Sequence, residues 1–148
     1  MIPFVYDDGG RAAAGFKGDA GDCVTRAIAI VTGRNYRQVY DDLFELGRRR
    51  YAGQLTGADI TRRASPRNGV DPAVYRRYLD TLGLHWTPTM FIGQGTKVHL
   101  RADELPDGRL VVRCSKHVTA VIDGVLHDTY DCSREGTRAV YGHWWYPL

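Results

Sequence analysis

Three residues whose types combine in nucleophilic catalysis, Cys23, His117 and Asp128, occur where local sequence can bring them together. Cys23 follows Gly21-Asp22 and precedes an apolar run, Ile28-Ala29-Ile30-Val31, that stops at Gly33. This pattern predicts a helix with Asp22 as N-cap and Cys23 at its first position. A thiol in the first turn of a helix meets free backbone N–H groups and the positive end of the helix dipole, both of which favour the thiolate. The same N–H groups can stabilise an oxyanion forming beside the sulfur. A cysteine taken alone is more often a small buried hydrophobe, so the chemical reading requires a histidine partner.

His117 opens the segment His117-Val-Thr-Ala-Val-Ile-Asp-Gly-Val-Leu-His-Asp-Thr-Tyr130, in which Asp123-Gly124 is a strong signal for a two-residue type I′ hairpin. That turn sets Ile122 beside Val125, Thr119 opposite Asp128 and His117 opposite Tyr130. Alternation then puts His117, Thr119, Asp128 and Tyr130 on one face. Asp128 becomes a diagonal neighbour of His117, near enough to orient an imidazole. A three-residue loop would shift the register by one and bring Asp131 opposite His117 instead; the two-residue turn favours Asp128.

The elements that must hold these residues are two sets. After an irregular lead-in over residues 1 to 21, with a short strand at Phe4 to Tyr6, come three helices. The first begins at Cys23. The second is capped by Asn35, with Gln38 completing a capping box and Arg48 to Arg50 at its C-terminal end. The third has Asp71 as cap and Pro72 in its first turn, and stops at Gly83. Ala52 to Val70 is polar, with one irregular helical turn over 58 to 63. From His85 the period changes. His85 to Ile92, Lys97 to Leu100, Leu110 to Cys114, His117 to Ile122, Val125 to Tyr130 and Ala139 to Trp145 read as short antiparallel strands. Helices followed by strands predict an α+β domain.

A cysteine in the first turn of an early helix, a histidine opening a later strand and an acid on the next strand follow the order of the papain-like cysteine peptidases. With Asp22-Cys23 followed by Arg26-Ala27, and a small C-terminal sheet, the chain resembles the compact bacterial branch that includes the leader peptidases of bacteriocin exporters. It is also similar to bacterial and phage proteins with an Asp-Cys opening and a His-strand-Asp-Gly-strand-Asp-Thr ending. The resemblance implies a papain-like fold with N-terminal helices packed on a C-terminal antiparallel sheet. It also implies Cys23 as nucleophile, His117 as general base and acid, and Asp128 as the orienting group. The family commonly places a Gln shortly before the cysteine as an oxyanion donor, whereas residues 15 to 22 contain no side-chain amide. The oxyanion then falls to the Cys23 backbone N–H together with a second backbone N–H or Lys17.

Composition sets the outer bounds. At 148 residues the chain suits one domain, and 43% hydrophobic with 25% charged content is globular rather than disordered or collagen-like. Its longest clean apolar run, Ala27 to Val31, is too short for a membrane span, and the start Met-Ile-Pro-Phe-Val-Tyr-Asp-Asp lacks the features of a secretory signal, so a cytoplasmic location is expected. Cys23, Cys114 and Cys132 form neither a disulfide framework nor a zinc ribbon. His85, His99, His127 and His143 have no paired-ligand spacing, so no metal or cofactor is expected. The net charge of +3 permits a nucleic-acid partner without requiring one. The expected partner is a peptide or protein substrate, and the competing expectation is a noncatalytic module of the same fold that uses its arginine-rich middle to engage protein or nucleic acid.

Overall fold

The first helix is apolar on almost every side, and a helix of that kind is stable only when it is surrounded. In the computed structural model, which describes residues 1–17 and 21–147, α1 (Cys23–Thr32) is buried from Val24 to Val31. Gly33, at φ 71, ends it in the left-handed region. The other helices are α2 (Tyr36–Tyr51), α3 (Gly57–Ala64), a 3-10 turn at Pro66–Asn68, and α4 (Pro72–Thr81). Asn35 accepts from the backbone N–H groups of Arg37 and Gln38, and Asp71 from that of Ala73, so these two caps are as expected. The stretch read as one irregular turn is a helix and a half.

Six strands form a single sheet: β1 (Phe4–Tyr6), β2 (His85–Pro88), β3 (Arg109–Cys114), β4 (His117–Ile122), β5 (Val125–Asp128) and β6 (Val140–Tyr146), in the order β1-β5-β4-β3-β6-β2. The fold is therefore mixed α+β. The expectation of a purely C-terminal antiparallel sheet needs correcting, because β1 comes from the N-terminus and pairs parallel with β5. Three predicted strands also change. The one starting at His85 stops at Pro88, which has no N–H to continue a ladder. Lys97 to Leu100 makes only an isolated bridge through His99 to Ala139, since β2 and β3 already occupy both edges of β6. The fifth ends at Asp128, whose carboxylate takes the N–H of Thr129 and bends the chain away.

The sheet is covered on both faces. On one, Val24, Ile28 and Val31 of α1, Val39 and Leu43 of α2 and Tyr75 and Leu79 of α4 pack on Val111, Val118, Ala120 and Trp144. On the other, Leu110, Val112, Val121 and Leu126 are covered by Ile2, Leu100, Leu105 and Cys132 from loops. Trp144 anchors β6: it is buried, lies edge-on to Tyr75, and has Trp86 4.3 Å away, centroid to centroid. Trp86 also covers Gly142, where any Cβ would collide with its ring. Arg109 secures the far end of α1 by donating to the carbonyls of Val31 at 2.6 Å and Ile30 at 2.8 Å. No helix among the described residues is long and apolar enough to cross a membrane.

Candidate active site

The β4–β5 hairpin turns on Asp123 and Gly124, both at positive φ, and pairs Ile122 with Val125. This is the two-residue turn, and it determines which acid meets His117. Nε2 of His117 lies 2.8 Å from Oδ2 of Asp128, and the same oxygen accepts from Thr119 Oγ1 at 2.6 Å. The expected face of His117, Thr119, Asp128 and Tyr130 is assembled, with the Tyr130 ring 5.4 Å from the imidazole. Asp131 is not part of it. Its carboxylate closes a local turn by accepting from the N–H and hydroxyl of Ser133.

With Nε2 held by Asp128, Nδ1 is left as the ring nitrogen for another partner. Cys23, half-buried at the start of α1, lines the same cleft as His117 and Val118, and is stabilised as a thiolate by that ring and by the Val118 backbone N–H. Burial alone pushes the Cys23 thiol up. The His117 ring and its charge, the Val118 N–H and the charge of Arg26 outweigh it and hold the thiol below its ordinary value. Burial likewise works against a charged imidazole, yet the bonds to Asp128, Cys132 and Cys23 raise His117 well above the usual histidine range. The two shifts favour one state, a thiolate beside an imidazolium.

Asp128 is buried and saturated with donors. Besides His117 and Thr119, it accepts from Thr129 N–H at 2.7 Å, from Cys132 Sγ at 3.6 Å and from Nη2 of Arg26 at 3.4 Å. Burial pushes its carboxyl up, but His117, the Thr119 hydroxyl and the Thr129 N–H hold it below the usual range and keep it ionised.

Arg26 and Cys132 were not foreseen in the site. Arg26 is buried on α1 one turn beyond Cys23, and its other Nη donates to Asp22. Asp22 consequently does not cap the helix, which corrects the sequence reading. Its carboxylate is taken instead by Arg26, by the Tyr36 hydroxyl at 2.6 Å and by Arg11 at 3.1 Å. The first-turn N–H groups of α1 thus have no side-chain cap. The i, i+4 spacing of Asp22 and Arg26 was a readable signal for their pairing. Nothing local marked Tyr36 or Cys132, which arrive through tertiary packing.

A cleft of about 240 Å³ opens beside Cys23 and His117, bounded by Val70, Tyr75, Arg113 and Lys116 among others. Lys17 does not line it; it is exposed, and its carbonyl receives the guanidinium groups of Arg11 and Arg67. The adjoining residues 18–20 of the segment before Cys23 lie outside the described residues. Among the other histidines, His127 turns away to Asp7 and His99 bonds Glu104. One donor set was not anticipated: a ligand atom each from His117, Asp128 and Cys132 lies within 4.8 Å of the others. The Arg26 guanidinium on Asp128 already supplies the positive charge that a cation there would bring.

Comparison with models of known protein families, with curated proteins and with solved structures finds no match to this chain.

Proposed function

We propose that this protein is a small papain-like thiol hydrolase that cleaves a peptide, isopeptide or related amide through an acyl-enzyme at Cys23. The observation that carries the reading is the placement of Cys23 and His117 on one cleft, with His117 hydrogen-bonded in turn to the buried Asp128. The thiolate attacks the substrate carbonyl carbon. The oxyanion is met by the Cys23 backbone N–H, uncapped at the start of α1. His117 gives its proton to the departing amine as the tetrahedral species collapses to a thioester. It then takes a proton from water, whose attack releases the acid and restores the thiol. Asp128 fixes the imidazole through Nε2 and stabilises its charge. Three free cysteines suit a reducing compartment, and we place the enzyme in the cytoplasm.

The noncatalytic alternative rests on the arginine-rich middle, where Arg49, Arg50 and Arg62 are already paired with Glu45, Asp71 and Asp59. Treatment with a panel of peptidyl acyloxymethyl ketones, read by intact mass, separates the two readings. The hydrolase should gain one adduct, lost in Cys23→Ala and strongly reduced in His117→Ala. A Cys23 that ignores every peptide probe and alkylates only as a free thiol does would support the noncatalytic module.

A further inference from the structure

Arg113 has no structural task comparable with that of Arg109. The two share a face of β3, four residues apart, but Arg109 grips the carbonyls at the C-terminal end of α1 whereas Arg113 emerges beside Cys23 at the other end. It is half-buried, faces a glycine, Gly142, across the ladder, and its guanidinium has no hydrogen bond or ion pair among the described residues. Surface arginines such as Arg37, Arg49 and Arg101 each meet a carboxylate. Lys116, exposed in the turn immediately before His117, is also without a partner among the described residues. Both cations line the cleft that contains Cys23 and His117, and no Asp or Glu lines it with them. Nor does the thiolate depend on them, since its hold comes from His117, Val118 and Arg26.

Resting on the hydrolase reading above, we propose that Arg113 and Lys116 form a carboxylate-recognition site and that the preferred substrate is an acidic peptide with a carboxylate within one residue of the scissile amide. A guanidinium that is partly withdrawn from water, in a cleft walled by Val70 and Tyr75, offers a carboxylate a charge-assisted pair. Either a Glu or Asp side chain or a free chain terminus supplies that chemistry.

The test compares iodoacetate with iodoacetamide, two alkylators that differ in one negative charge. For Cys23, the rate ratio of iodoacetate to iodoacetamide, normalised to glutathione, should exceed one. It should fall about fivefold in Arg113→Gln/Lys116→Gln, and the difference should shrink in high salt. Lys116→Gln alone should show part of the fall, which preserves a readout if the Arg113 change impairs folding. Protection of Cys23 from iodoacetamide then identifies the source. Blocked peptides containing Glu will protect if the carboxylate is a side chain, and neutral peptides with a free C-terminus will protect if it is terminal. A fast-reacting, low-pKa Cys23 whose ratio is the same in wild type and both variants would overturn the proposal while leaving the hydrolase reading intact. A Cys23 that reacts like a free thiol would remove that reading itself.

Discussion

Arg26 donates to Asp128 across 102 positions of sequence, and so ties the helix carrying the thiol to the strand carrying the acid. The guanidinium is shared between two buried carboxylates, Asp22 and Asp128. Removing it leaves Asp22 to Arg11 and Asp128 to His117, and takes a positive charge away from two buried carboxylates at once. Arg26→Met should therefore cost about 3 kcal/mol of folding stability, as breaking one side of a buried pair does. A urea midpoint unchanged from wild type would show that the bridge holds nothing together.

The two acids at the end of the hairpin separate cleanly. Asp128→Ala should slow hydrolysis at least about a hundredfold, because His117 loses its orienting partner, whereas Asp131→Ala, which only opens a surface turn, should leave kcat within about twofold. The comparison is read from kcat in variants shown to be folded, and the opposite ranking would contradict the hairpin register.

Asp128 also contributes to the pH dependence of stability. Its folded-state pKa is depressed, so its stabilisation is present above the unfolded value of about 3.9 and is lost as pH falls through the folded value. Asp128→Asn should accordingly flatten the acid limb of thermal unfolding below about pH 4. A variant melting curve that keeps the wild-type slope in that range would mean the carboxylate is not preferentially ionised in the fold.

Much of this site was legible because it rests on local signals. Asp123-Gly124 dictated the register that brings Asp128 to His117, and the apolar run after Cys23 announced a buried helix. The missing parts are long-range. Tyr36 and Cys132 reach the site from a second helix and from beyond the last hairpin residue, where neither period nor turn chemistry points. Asp22 illustrates local propensity overruled: a good N-cap residue gives up its capping role because a buried arginine one turn away needs its charge. The strand at Phe4–Tyr6 was visible, but its parallel pairing with β5 was not, since three residues carry no record of which edge they will complete.

The three cysteines should react unequally. Cys114 and Cys132 are buried, at 2% and 1% exposure, and burial together with the nearby Cys132 pushes the Cys114 thiol up to about 11. Iodoacetamide at neutral pH should modify Cys23 first and leave the other two nearly untouched until the protein unfolds. Peptide mapping of briefly treated protein gives the order, and equal labelling of all three would remove the case for a special thiol.

The central claim is that Cys23 and His117 form one coupled pair, and the alkylation rate of Cys23 as a function of pH tests it most directly. The wild-type midpoint should lie clearly below the roughly 8.5 of a free cysteine, because the imidazolium and the Val118 N–H overcome burial. His117→Ala removes the imidazolium and leaves the burial, so the midpoint should rise by at least about one unit, equivalent to about 1.4 kcal/mol of lost thiolate stabilisation. A wild-type midpoint at the free-cysteine value, or one indifferent to His117→Ala in a folded variant, would contradict the account.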